Sequence, residues 1–224
     1  MDTRIVMQPP DGLGEGPPLR RRRREARPAE IIAAALSLFV ERGFAQTRLD
    51  DVAGRAGVSK GTVYLYFATK EELFKAVVRS AILTPIEGGE AVLAGFSGPS
   101  TEMLHFLVRE WRQLNHGPAG GILKLMVAEA GNFPAITSFY MEEVVLRGRR
   151  LVEQIVARGV ARGEFRRVDV EAAARVVLAP LTMRSIYQYS LGSADPEPVS
   201  DDRFFAAYLD LLLAGIQADP ESLP

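Results

Sequence analysis

Residues 56–67 read Ala-Gly-Val-Ser-Lys-Gly-Thr-Val-Tyr-Leu-Tyr-Phe, and this stretch decides the fold. Gly57 follows a short apolar helical pattern and supplies the left-handed backbone that ends a helix. Ser59 is a favourable N-cap, so a new helix is predicted from Lys60 through Leu65. Two short helices joined by a glycine turn are typical of a helix-turn-helix.

The helices around this pair are predicted from their caps. Pro28 suits the first turn of a helix that Gly43 ends. Thr47, with Asp50 three residues later, has the spacing of a capping box for the next helix. Thr69 stands where the cap of a fourth helix belongs.

The rest of the chain repeats the helical pattern. Helical periodicity and glycine stops predict helices over residues 70–93, 101–115, 119–130, 134–162, 170–191 and 201–218. Strand-like alternation between turn signals is missing, so we predict an all-α fold.

The composition excludes several classes of protein. The 224 residues contain no cysteine and only two histidines, which excludes disulfides and thiolate chemistry and leaves no metal site expected. Neither H-E-x-x-H nor G-x-S-x-G occurs, so we expect no catalytic residues, no cofactor and no enzyme activity. The apolar run Val176–Met183 is far shorter than the roughly 20 residues that span a bilayer, so no membrane segment is expected.

Charge is distributed unevenly along the chain. Residues 20–70 hold eleven Lys or Arg against five Asp or Glu, whereas the residues after 75 hold 14 basic and 18 acidic side chains. This asymmetry predicts an anionic partner at the front end. Residues 1–26, rich in Gly and Pro and containing the run Arg20–Arg24, are expected to form a disordered basic tail. Arginines before an apolar stretch also suggest an export signal, but Glu30 and the lack of a following A-x-A site favour a cytoplasmic protein.

The predicted third helix carries the residues with the clearest chemistry. A helix that reads the major groove presents short polar side chains and cations at its N-terminal end. Ser59, Lys60, Gly61 and Thr62 have this character, and Lys70 begins the next helix, where a phosphate can bind. The aromatic side chains that follow are, taken one at a time, more typical of a packed core.

In sequence, residues 27–78 resemble the DNA-binding domain of the TetR/AcrR family of bacterial transcriptional regulators. The motifs that carry the resemblance are Leu38-Phe39-Val40-Glu41-Arg42-Gly43-Phe44, Thr47 to Ala53, Ala56 to Phe67, and Lys70-Glu71-Glu72-Leu73. The resemblance implies that Lys60, Gly61, Thr62 and Tyr64 enter the major groove. It also implies phosphate contacts from Thr47, Arg48, Tyr66 and Lys70. Arg48 departs from the small hydroxyl residue common in the family.

The resemblance implies a two-domain regulator. Residues 27–75 then form a three-helix helix-turn-helix DNA-binding domain, residues 76–218 a larger helical ligand-binding and dimerisation domain, and residues 219–224 a C-terminal tail. The implied homodimer forms through the last two long helices. The sequence supports this independently, because the last helix has an apolar surface too wide for one intrachain contact.

A ligand pocket is expected among aromatic and methionine side chains of the second domain. The candidates are Leu107, Trp111, Met126, Phe139, Tyr140, Met183 and Tyr187. Taken singly, each is more typical of an ordinary core. We therefore expect a ligand-responsive repressor that binds a palindromic DNA operator and is released by a small, largely apolar effector. The alternative is an all-α ligand carrier or protein-interaction module that does not bind DNA.

Overall fold

The computed structural model describes residues 19–218, with side chains from Arg27 onward. The predicted all-α fold is confirmed, since helices follow one another through this range and no strand forms in it. The helices are α1 (Leu19–Arg42), α2 (Leu49–Ala56), α3 (Lys60–Tyr66), α4 (Lys70–Val78), α5 (Thr84–Gly95), α6 (Ser100–His116), α7 (Ile122–Glu129), α8 (Pro134–Tyr140), α9 (Leu146–Ala161), α10 (Val170–Ser190) and α11 (Asp201–Ile216).

Helix α1 begins at Leu19, ahead of the predicted start at Pro28. Residues 19–26 are helical, whereas the sequence analysis expected a disordered tail. Leu, Arg, Glu and Ala, which make up this segment, all favour helix. Pro28 lies inside the helix, where its missing N–H cannot complete the ladder to residue 24. Residues 1–18 and 219–224, assigned to tails from the sequence, lie outside the described range.

The caps around α3 are confirmed, and the cap of α2 differs from its prediction. The Thr62 N–H donates to Oγ of Ser59 over 3.2 Å. Helix α2, in contrast, is capped through the Arg48 N–H, which donates to the Asp51 carboxylate over 3.2 Å. Thr47 turns inward instead: its side chain is 1% exposed, and its hydroxyl donates over 2.8 Å to the carbonyl of Gly43.

A cluster of aromatic rings holds the first four helices together. Phe39 of α1, Phe44 of the α1–α2 loop and Phe74 of α4 lie with ring centroids 5.4 to 5.5 Å apart. Phe133, in the α7–α8 connection, packs edge-on against Phe44 at 4.7 Å. The predicted domain boundary between residues 75 and 76 falls inside α4. The core continues across it into α7 and α8, so the packing has no gap there.

The remaining helices enclose a second core. Helices α6, α9 and α10 bury apolar side chains that include Leu104, Val152 and Val177, and α11 adds Ile216. Within the described residues, no helix is both long and apolar enough to cross a membrane.

Two wide π turns interrupt otherwise continuous helices. One, Arg79–Leu83, joins α4 to α5, and the other, Met141–Val145, joins α8 to α9. In the first, the Thr84 N–H donates to the Arg79 carbonyl, five residues back. The next residue, Pro85, has no N–H to donate, which explains why the regular ladder is lost here. Turns of this kind are frequent at functional sites.

The same substitution at two neighbouring glycines should have opposite effects on stability. Gly57 has φ +66°, so Gly57→Ala forces a left-handed alanine and should cost about 1–2 kcal/mol of unfolding free energy. Gly54 lies inside α2 with open space where a Cβ would be, so Gly54→Ala should add about 0.5–1 kcal/mol. Urea unfolding of both variants measures this. Shifts of the same sign would contradict the assigned backbone at Gly57.

Candidate functional site

Helix α3 is held by its inner face and exposes the rest of its surface. Val63 is fully buried. Ser59, Lys60 and Gly61 are exposed, and Tyr64 is 46% exposed on the same side of the domain. The helix therefore offers its polar N-terminal end to solvent, as a helix that enters a major groove must.

The exposed cation of α3 is fixed by an acidic neighbour. Lys60 Nζ lies 2.8 Å from the Asp50 carboxylate and 5.9 Å from the centroid of the Tyr64 ring. The hydrogen bond that Lys60 donates to the Asp50 carboxylate raises the pKa of Lys60, so this side chain carries its charge at neutral pH. Asp50 was missed as a site residue because its spacing from Thr47 suggested a capping role.

Eight of the nine predicted DNA-contact residues, Arg48 and Tyr66 among them, are exposed or half-buried. Thr47 is buried instead, and its hydroxyl holds the start of α2 to the end of α1 rather than facing a phosphate. Lys70 is also partly withdrawn, because its ammonium donates to the carbonyls of Phe44 over 2.7 Å and Ala45 over 3.1 Å. Burial lowers the pKa of Lys70.

A cavity of about 180 Å³ lies in the second domain, bounded by residues of α5 to α10 and of both π turns. Its walls are mainly apolar and include Leu107, Trp111 and Tyr140 from the predicted set. Residues that the sequence analysis missed also line it, including Ile82, Ile86 and Gly89. Their spacing of four and three residues is a helical stripe, a signal that was available in the sequence.

The other four predicted ligand residues do not line this cavity. Met126 is buried in the first core. Phe139 packs under the cations of α4 and its π turn, with Lys75 Nζ 5.4 Å from its ring centroid. Met183 is 63% exposed, and the hydroxyl of Tyr187 donates to Asp195. The apolar character of these side chains predicts that they pack against another helix, but it does not identify which helix.

Most polar groups at the cavity are already paired within the protein. Trp111 Nε1 donates to Ser185 Oγ over 3.2 Å, and Ser185 Oγ donates in turn to the Leu181 carbonyl over 3.1 Å. Tyr140 differs: it is 8% exposed, and its hydroxyl makes no hydrogen bond to any described residue. Burial raises the pKa of this phenol, which therefore stays neutral at physiological pH.

A charged contact joins the two domains close to the aromatic cluster. Glu129, the last residue of α7, accepts a hydrogen bond of 3.2 Å from the N–H of Ala45 in the α1–α2 loop. Its second carboxylate oxygen accepts from Asn132 Nδ2, also over 3.2 Å. The loop that precedes α2 is therefore bound directly to the second domain.

Two family models match the chain. Residues 31–77 match the model of bacterial regulatory proteins of the tetR family, and residues 98–202 match that of the tetracyclin repressor-like C-terminal domain. Together the two matches include α3 and much of the cavity wall.

Relatives match over most of the chain. The transcriptional repressor KstR2 of Mycolicibacterium smegmatis is 25% identical over 189 residues, 84% of this chain and 89% of its own length. The fold is shared with the regulator FadR from Bacillus subtilis in complex with stearoyl-CoA (TM-score 0.71, 21% identity, 84% of this chain and 99% of FadR). It is also shared with the ketosteroid regulator KstR2 of Mycobacterium tuberculosis (TM-score 0.66, 23% identity, 86% and 96%).

Removing the Glu129 carboxylate should loosen the α1–α2 loop. In Glu129→Ala the Ala45 amide loses its acceptor, and its hydrogen exchange should become about tenfold faster, as for the loss of one charged hydrogen bond. Glu129→Gln keeps an acceptor oxygen and should change less. Glu142→Ala, which removes an exposed carboxylate elsewhere, is the control. Equal exchange rates in all four proteins would disprove the contact.

Proposed function

Because the chain belongs to the TetR family and is a ligand-responsive, DNA-binding transcriptional regulator, we propose that it is a repressor that binds a palindromic operator as a homodimer. A small, largely apolar effector in the cavity releases it. The observation that carries the proposal is α3, which is anchored by buried Val63 while its polar end remains exposed. The alternative of a carrier without DNA binding is not favoured, because relatives that align with most of the chain are transcriptional repressors.

Lys60, Gly61, Thr62 and Tyr64 form the proposed base-reading set. The Lys60–Asp50 ion pair must open for Lys60 to reach DNA, and solvent-exposed pairs of this kind contribute little to stability. Phosphate or base oxygens therefore replace the carboxylate at small cost.

Arg48, Ser59 and Tyr66 form the proposed phosphate contacts at the edges of α3. Arg48 is exposed just before α2, and Ser59 lies at the exposed N-terminus of α3. Lys70 has three N–H donors and uses two of them internally, which leaves one for a phosphate.

The run Arg20–Arg24 is proposed as an electrostatic arm beside these contacts. Its side chains are not among those described. Since such a regulator works on the chromosome, the proposal places it in the bacterial cytoplasm.

Two copies are proposed to pair through α10 and α11. Val176 and Met183, two turns apart on α10, are 67% and 63% exposed, and Leu211 on α11 is 73% exposed. Large apolar side chains so exposed on neighbouring helices favour a partner surface. A symmetric dimer would present two α3 helices to successive major grooves, about 34–36 Å apart.

The effector is proposed to act through the rod formed by α4, the Arg79–Leu83 turn and α5. Ile82 and Ile86 of this rod line the cavity, while Lys70 at its other end touches the α1–α2 loop. A ligand that displaces the rod changes the spacing of the two α3 helices. Effector and DNA then compete through one equilibrium, with a coupling of about 1–3 kcal/mol.

DNA binding is tested by selecting duplexes from a random pool with the full-length protein. The selected sequence should be palindromic, and its affinity should fall on the order of 10³-fold between 50 and 200 mM salt for about six phosphate contacts. Recovery of no preferred duplex would overturn the proposed function.

The double variant Lys60→Ala, Tyr64→Ala should lose binding to the selected duplex while keeping the fold and oligomeric state. It removes the cation and the ring that α3 exposes. Lys124→Ala removes the same charge from the exposed face of α7 and is the control. Unchanged affinity of the double variant in a gel-shift assay would remove α3 from the DNA interface.

Charges on the proposed dimer face should separate the subunits. In Val176→Glu, Leu211→Glu, two carboxylates per chain would be buried without partners, so sedimentation at micromolar concentration should give the 24.5 kDa monomer. Val127→Glu changes a valine that is 59% exposed on α7 and should leave a dimer. A dimer in the double variant would contradict the assigned interface.

A further inference from the structure

We propose that the hydroxyl of Tyr140 is the polar anchor of the effector, and that the effector is a neutral, ring-sized apolar molecule with one hydrogen-bond-accepting oxygen. This inference rests on the proposed function of the cavity and deepens it. It follows from which polar groups at the cavity are already used, from the size of the space and from its charges.

The neutral side-chain donors of the cavity wall other than Tyr140 are already paired within the protein. Besides Trp111 and Ser185, Thr182 donates its hydroxyl to the Ala179 carbonyl over 2.9 Å. Asn115 donates its amide to Gln188 over 2.6 Å. A ligand would have to break one of these bonds to use the same donor, and so would gain little from it.

Tyr140 is the exception among these neutral donors of the cavity wall. Its phenol lies at the end of α8, directly before the Met141–Val145 π turn, and its ring is part of the first core. A hydroxyl without a partner is unfavourable in an apolar cavity, and an acceptor delivered by a ligand removes that cost. Because the packed ring is already oriented, the bond needs little reordering of the protein.

The size of the cavity restricts the ligand. An apolar protein cavity of about 150 Å³ holds a molecule of the size of benzene. The space here is about 180 Å³, enough for a six-membered ring with a short substituent. The apolar walls exclude a ligand that carries several polar groups.

The charges at the cavity favour a neutral ligand. Arg149 from α9 and Glu110 from α6 both line it, so the two ionic side chains at the walls cancel in formal charge. The phenol of Tyr140 remains protonated, so it donates to a neutral oxygen without any change of charge. A carbonyl oxygen on an apolar ring has the required chemistry.

Three small probes of similar size separate the possibilities: acetophenone, with a carbonyl; ethylbenzene, with no oxygen; and phenylacetate, with a charge. Calorimetry on the full-length protein should give about tenfold tighter binding of acetophenone than of ethylbenzene, the effect of one buried hydrogen bond. In Tyr140→Phe this preference should disappear, while ethylbenzene binds at least as tightly as before. Tyr187→Phe, the same change at a hydroxyl outside the cavity, should keep the preference.

The outcomes that overturn the inference are distinct from failure of the proposed function. Equal binding of acetophenone and ethylbenzene to the unmodified protein would remove Tyr140 as the anchor, while the cavity remained the effector site. Tightest binding of phenylacetate would indicate an acidic effector held by Arg149. If no probe binds, the ring-sized class is wrong, and operator binding, measured separately, still decides whether the protein is a DNA-binding regulator.

Discussion

The packing of Phe44 against three other phenylalanines is the constraint on which the rest of the molecule depends. Its ring contacts Phe39 and Phe74 within the first domain and Phe133 from the second. The carbonyl of the same residue accepts a hydrogen bond from the ammonium of Lys70. One loop residue therefore fixes α1, α4 and the second domain relative to one another, and the orientation of α3 follows from theirs.

This arrangement explains how a helix as short as α3 can present a reading surface. Seven residues are too few for a helix to be stable alone in water. Its order comes from the Ser59 cap at one end, burial of Val63 in the middle and the half-buried Phe67 after its last turn. Since these groups face inward or lie at the ends, the outward-facing side chains of α3 are not needed for the fold and are available to contact a partner.

The sequence predicted the elements better than it predicted their neighbours. Caps and glycine stops depend on residues close in the chain, so Ser59, Thr69 and Gly57 were identified correctly. Whether a given side chain meets the cavity depends on how helices distant in sequence are arranged. Helix α10 is apolar on several sides, so periodicity alone could not establish that Met183 faces outward. Thr47 was misjudged for a related reason, because a threonine can cap its own helix or bond to another one equally well.

The turn at Arg79–Leu83 sets how α5, which lines the cavity, is rotated about its axis relative to α4, which packs against the DNA-facing helices. It holds one residue more per hydrogen-bonded turn than a regular helix does, and thereby sets the angle at which the side chains of α5 project relative to those of α4. If the turn closed to the regular pattern with its residue count unchanged, α5 would rotate by about 100° around its axis relative to α4. Ile86 and Gly89 would then leave the cavity wall. The extra residue of this turn therefore determines which side chains of α5 face the cavity.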